Sequence, residues 1–162
     1  MQISSLLSPA AVRVTGHLTS KKRLFQDLAE VGASLYGFGV SDAVEALQER
    51  EGLGPTGVGH GIALPHARID RLEQVSGVFF RLERPLEFGS VDRQPVDLVF
   101  ALFAPRDAGV EHLRALALVS RTMRDADRCA KLRANTDPVA LHAILTEGEA
   151  SKAACCTHRR LR

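Results

Sequence analysis

Residues 57 to 68, GVGHGIALPHAR, hold two histidines, three glycines and a proline. His66 follows Pro65, which fixes its own φ and biases Leu64 toward extended backbone, so the imidazole follows a stiffened strand end. Strand ends are where α/β folds tend to carry reactive groups. The glycines at 57, 59 and 61 clear side chains from the approach and leave backbone N–H groups able to face an anion. Together they give a nucleophilic nitrogen beside a place for a phosphoryl or acyl oxygen. A buried structural histidine beside an ordinary glycine loop uses the same residue types, and spacing alone leaves both readings open.

A second imidazole, His112, starts a helix after APRDAGVE, a loop that follows the apolar run at 96–104. In a mixed sheet that loop can reach the same edge as His66, where His112 would donate a hydrogen bond or orient the first ring. A surface histidine on an amphipathic helix fits the pattern equally well. Arg50 and Glu51 close a helix just before the glycine loop. The planar guanidinium of Arg50 can clamp phosphate oxygens, and a cation is also favoured at a helix C-terminus. His17, His142 and His158 have no comparable setting. His60 and His66 lie six residues apart, unlike most histidine-based zinc spacings, and Asp70 or His112 would join them only through the fold. No metal site and no cofactor are expected. The chain has no G-x-x-x-x-G-K-[ST], no kinase-type glycine loop and no G-x-S-x-G elbow. A phosphoryl donor would therefore not be a nucleotide bound by this chain.

The elements that must position these residues follow from periodicity. Ser20 N-caps a helix through KKRLFQDLAEVGASLYG, with Leu24, Leu28, Val31 and Leu35 at helical spacing and Gly37 as its stop. A second helix starts at Ser41 and ends at Gly52, and GLGPTGVGHG is too rich in glycine and proline to be regular. IAL at 62–64 suits a small strand stopping at Pro65. QVSGVFFRLE at 74–83 reads as an interior strand, RPLEFGSVDRQP as a turn-rich connector, and VDLVFALFA at 96–104 as a strand covered on both faces. Beyond Pro105, VEHLRALALVSRTM places Leu113, Leu116 and Met123 on one helical face. A short helix around ADRCAKLRA follows, and Asp137 caps a last one with Pro138 at its first position and Leu141, Ile144 and Leu145 inward. This order favours one layered α/β domain over residues 1–148, with a loose tail over 149–162.

Composition excludes several classes. With 45% hydrophobic and 25% charged residues the chain is globular. Four cations and no acid in the last twelve residues turn a body of −2 into a chain of +2. A mildly acidic body is a poor nucleic-acid binder. Cys129, Cys155 and Cys156 offer neither a disulfide framework nor a zinc spacing. The N-terminus lacks the basic and apolar regions of a signal peptide, and LVFALFA at 98–104 is far too short to insert in a membrane. A cytoplasmic protein is expected.

The stretch REGLGPTGVGHGIALPHARID resembles the active-site segment of phosphotransferase-system enzyme IIA proteins of the fructose/mannitol class, above all their nitrogen-regulatory branch. The likeness continues through VSGVFFRLERPLEFGSVDRQPVDLVFALFAP and HLRALALVSR, and covers roughly residues 3 to 147. It implies a mixed central β-sheet flanked by helices on both faces. It implies that His66 is phosphorylated by a small HPr-type phosphocarrier, that His112 is the second active-site histidine, and that Arg50 is the arginine near the phosphohistidine. Thr56, Gly57, Gly59, His60 and Gly61 would form the phosphate-binding loop. His60 falls where many relatives carry asparagine, which would make a third histidine in the site. Two functions compete on this basis. One is a sugar-specific enzyme IIA that passes phosphate to a IIB acceptor in fructose or mannitol uptake. The other is a phosphorylation-controlled regulator of transporters or sensor kinases. The absence of a fused transporter domain or an acceptor-cysteine motif, together with likeness to the regulatory branch, favours the regulator.

Overall fold

The computed structural model describes residues 1–16 and 18–149. Helix α1 (Ile3–Leu6) runs into strand β1 (Leu7–Thr15), followed by helices α2 (Lys21–Tyr36) and α3 (Val40–Leu53). Three short strands come next, β2 (Gly57–Gly59), β3 (Ile62–Ala63) and β4 (His66–Ile69), then two long ones, β5 (Ser76–Leu86) and β6 (Val96–Pro105). Helices α4 (Gly109–Arg124), α5 (Ala126–Arg133) and α6 (Pro138–Leu145) complete the described chain.

The strands form one mixed sheet in the order β1-β5-β6-β3-β2, with β4 also on β6. Pairing is parallel for β1 with β5 and for β3 and β4 with β6, and antiparallel for β5 with β6 and β2 with β3. The β3–β4 segment sets the position of His66. Ile62 and Ala63 stand opposite Leu98 and Val99, and His66 and Ala67 stand opposite Leu102 and Phe103, so the register is unchanged across Leu64 and Pro65. Pro65 has no N–H to give, but its carbonyl still accepts from the Leu102 N–H at 3.0 Å. One strand is thus interrupted without slipping.

β6 is buried along its length except at the half-buried Asp97. On one face the Phe103 ring meets Phe38, 4.8 Å between centroids, and on the other Phe100 meets Phe79 at 6.1 Å. Helices α2 and α3 pack on each other, as do α4 with α5 and α5 with α6, so the two faces are covered by separate helical groups. Gly32 lets α2 come close, because a Cβ there would lie 2.5 Å from the Phe38 ring. The expected fold class, a mixed sheet between helices, is therefore correct.

The caps behave as their chemistry requires. The Ser20 hydroxyl accepts from the Arg23 N–H, Gly37 closes α2 at φ 84°, and the Asp137 carboxylate accepts from the Val139 N–H with Pro138 at the first turn of α6. Other elements depart from the expectation. β1 had not been anticipated, because Ser8, Pro9 and Ala10 break any alternation; as an edge strand it tolerates Pro9. Strand β2 emerges where only loop was expected, and β4 over residues to which the sequence pattern assigns no element. On α4 the buried face is His112, Ala115, Val119 and Met123, whereas Leu113 is 67% exposed. The expected Met123 is buried on this face and Leu116 packs partly buried against the core. Of the tail expected over 149–162 only Glu149 is described, its carboxylate accepting from the Ile3 and Ser4 N–H groups; the rest, with Cys155, Cys156 and His158, lies outside the described residues, as does His17.

Candidate active site

His66 opens β4 half-buried, and both its ring nitrogens are engaged. Nδ1 lies 3.0 Å from the Leu64 carbonyl oxygen, which can only accept. Across the ring, Arg50 Nε–H donates to Nε2 at 3.1 Å. A donor meets Nε2 only if that nitrogen holds a lone pair. The two bonds therefore define one species, a neutral imidazole with its proton on Nδ1 and its nucleophilic pair on Nε2. Burial pushes the His66 pKa below its ordinary 6.5; the Leu64 carbonyl opposes this, the Arg50 charge adds to it, and the Glu51 charge opposes it.

Arg50 sits in the last turn of α3, and its Nη1 donates to the Gly54 carbonyl at 3.0 Å, so the guanidinium plane is held from both ends. The neighbouring Glu51 anchors the loop. Its nearly buried carboxylate accepts from the Thr56 N–H at 3.1 Å, from the Thr56 hydroxyl and from Lys21 Nζ at 2.8 Å. The Lys21 ammonium also lies 4.3 Å from the Phe88 ring centroid. The Thr56 carbonyl in turn accepts from the Leu64 N–H at 2.9 Å. A continuous set of bonds thus runs from α3 through Thr56 and Leu64 to His66 Nδ1.

His112 is only 5% exposed and lies on the inner face of α4. Its ring centroid is 5.4 Å from that of His66, with the planes at 72°. Among the described residues its Nε2 has no hydrogen-bond partner. Burial, then the positive potential of His66 and of Arg68, takes its pKa down to about 4. It is neutral near pH 7, with one buried polar atom left without a partner among the described residues, beside the His66 ring. An incoming phosphoryl oxygen would satisfy it. Arg68, two residues beyond His66 in the same strand, donates to the Arg106 carbonyl at 2.8 Å and adds a further cation nearby.

The structure therefore brings together His66, His112 and Arg50. It does not bring His60 to them. His60 and Gly61 are the two-residue turn of the β2–β3 hairpin, both left-handed at φ 57° and 77°. The His60 N–H donates to Asp92 Oδ2 at 3.0 Å, and its carbonyl accepts from Arg133 Nη2 at 2.6 Å. Gly57 is needed because a Cβ would lie 2.1 Å from Ser90 Oγ, and Gly61 because one would lie 2.7 Å from Arg133 Nη2. Gly59, also left-handed, faces Asp92. The loop expected to hold phosphate, Thr56, Gly57, Gly59, His60 and Gly61, is engaged in the hairpin and its packing. The amides of Thr56 and His60 and the Thr56 hydroxyl are committed within the fold, and the glycines serve close packing. Glu51 and Arg68 were not singled out as site residues. Glu51 was legible only as a helix-end charge, and Arg68 only by its place two residues after His66 on a strand. No group of three or more His, Cys, Asp or Glu side chains placed to hold a metal occurs among the described residues.

A mixed sheet thus presents two histidines and an arginine together at one interrupted strand. The chain belongs to the family described as phosphoenolpyruvate-dependent sugar phosphotransferase system, EIIA 2, whose model matches residues 5–148. Within that family it is similar to the nitrogen regulatory protein of Bradyrhizobium diazoefficiens, 46% identical over 145 residues, or 90% of this chain and 95% of that protein. Among solved structures it resembles the nitrogen regulatory protein IIA-Ntr of Neisseria meningitidis, with a TM-score of 0.81 and 32% identity over 89% of this chain and 99% of that one. It shares its fold with Escherichia coli enzyme IIA for mannitol, solved in complex with phosphorylated enzyme IIB (TM-score 0.71, 21% identity, 86% and 98% covered). The expected likeness to the nitrogen-regulatory branch holds. No helix among the described residues is long and apolar enough to cross a membrane.

Proposed function

We propose that this chain is a histidine-phosphorylated cytoplasmic regulator of a phosphotransferase relay. It would receive a phosphoryl group on His66 from an HPr-type phosphocarrier and control transporters or sensor kinases by its phosphorylation state. The observation that supports this reading is the paired engagement of His66, with Nδ1–H on the Leu64 carbonyl and the Nε2 lone pair accepting from Arg50 Nε–H. In transfer, the Nε2 pair attacks phosphorus in line as the donor's N–P bond breaks and its electron pair returns to the donor nitrogen. Nδ1 keeps its proton, and the Leu64 carbonyl accommodates the positive charge that develops on the ring. The Arg50 Nε–H passes from Nε2 to an equatorial phosphoryl oxygen, and His112, with its proton on Nε2, donates to another. Catalysis then consists of positioning and charge stabilisation.

Leu53 on α3, and Val110 and Leu113 on α4, stand exposed on the two helices that carry Arg50 and His112, and supply an apolar rim for a partner protein. Phosphorylation adds about −1.5 to −2 charges to that rim, enough to change which partners dock. The 46% identical relative named as a nitrogen regulatory protein supports the regulator over a sugar relay. The test uses phosphoenolpyruvate with the two general upstream phosphotransferase proteins and the full chain. The wild type should take up acid-labile phosphate and His66→Ala none. The phosphorylated wild type and His66→Ala should capture different partners from a lysate. Rapid transfer to a IIB protein, with identical partners in both states, would establish the sugar relay instead.

A further inference from the structure

Beside the hairpin, the β2–β3 segment and helices α4 and α5 line a half-open cavity of about 670 Å³. That volume falls within the range of small-molecule sites. Ile62, Leu64 and Met123 give it an apolar floor, all three buried by the surrounding protein. Its charged groups are Arg124 and Arg133, and no acidic side chain lines it. The two arginines are not equivalent. Arg133 is neutralised by Asp97, with Nε–H donating at 2.8 Å and Nη2–H at 3.0 Å. Arg124 forms no ion pair among the described residues, and its Nε–H only reaches the Ser120 carbonyl at 3.4 Å. The cavity thus combines apolar walls with one uncompensated guanidinium at its rim. None of His66, His112 or Arg50 lines it.

We propose that this cavity binds a small amphipathic anion, a compact apolar body ending in a single carboxylate, with the apolar part on Ile62, Leu64 and Met123 and the carboxylate on Arg124. Apolar burial supplies the affinity, and the planar guanidinium selects a carboxylate over a neutral head group. The site is separate from the phosphoacceptor, so its occupancy is measured without any phosphoryl transfer.

The experiment titrates the full chain with 1-anilinonaphthalene-8-sulfonate, an apolar fluorophore bearing one anionic group, and then competes it with decanoate and with 1-decanol. One saturable site is expected, displaced by decanoate at least about tenfold more effectively than by the neutral alcohol. Arg124→Glu should weaken the probe by at least about tenfold. Ser120→Phe, which projects a ring into the cavity from α4, should abolish saturable binding. Thermal melting of both variants checks their fold, and Arg124→Glu tests the site even if Ser120→Phe does not fold. Absence of a saturable site would overturn the proposal. Probe binding that survives both substitutions, or equal competition by alcohol and carboxylate, would overturn it too. Failure of His66 labelling would leave this result untouched, so the two readings fail independently.

Discussion

The buried imidazole of His112 should make the protein acid-sensitive by a calculable amount. Its pKa is about 4 in the folded chain against an ordinary 6.5, because burial and the positive potential of His66 and Arg68 disfavour its protonation. The unfolded chain therefore binds a proton at this ring over a pH range where the native chain does not. The contribution to stability is unaffected above pH 6.5, is lost as pH falls through 6.5, and levels off below about 4. At pH 5 the unfolded ring is almost fully protonated and the native ring is not, a loss of about 2 kcal/mol relative to pH 7.5; by pH 4 the loss is about 3 kcal/mol. His112→Gln keeps a hydrogen-bonding side chain and removes the titration. His66, whose pKa is also lowered, contributes with the same sign and remains in the variant, as do all the carboxylates. The informative quantity is the difference between wild type and variant in urea unfolding at pH 7.5, 6, 5 and 4. That difference should shift by about 2 kcal/mol in the variant's favour between pH 7.5 and 5. A pH-independent difference would show that the native ring takes up its proton as easily as the unfolded one. The neutral donor role given to His112 would then fail with it.

Arg50→Lys keeps the charge and loses the fork that spans His66 Nε2 and the Gly54 carbonyl, so phosphorylation of His66 should slow by about ten- to a hundredfold in quenched-flow labelling. Glu51→Gln leaves Lys21 and the two Thr56 donors with a neutral partner, and should cost about 1–3 kcal/mol in urea unfolding. His60→Asn places at the first left-handed turn position a residue that tolerates it better. Stability should rise by a few tenths of a kcal/mol and labelling should not change, whereas a tenfold loss of labelling would return His60 to the site.

Legibility in the sequence tracked how local the determinant was. α2 and α6 were readable because Ser20, Gly37 and the Asp137–Pro138 pair act within a turn of themselves. β5 and β6 were readable because strands buried on both faces must be apolar at nearly every position. On α4 the buried Met123 and the half-buried Leu116 agree with the helical spacing, and only Leu113 departs from it, since it outranks Ala115 in hydrophobicity yet faces outward. The link from Lys21 through Glu51 to Thr56 was invisible, since it joins residues 30 apart through tertiary packing. The place of His60 had a signal that went unused. A His-Gly pair after GVG and before an apolar run resembles the Asn-Gly of a two-residue hairpin, and both positions are left-handed in the structure. His66 itself was well marked, because Pro65 breaks the strand where the ring must turn out, and the unchanged register on β6 shows why the break costs no alignment.

The proposed transfer turns on which nitrogen of which histidine presents its lone pair to phosphorus. Nitrogen–phosphorus coupling, measured by NMR on phosphorylated protein labelled at its histidine ring nitrogens, reads this directly. One phosphoryl group bonded to Nε2 of His66, with the proton retained on Nδ1, is the expected result. A phosphoryl group on Nδ1 of His66, or on any other residue, would contradict it.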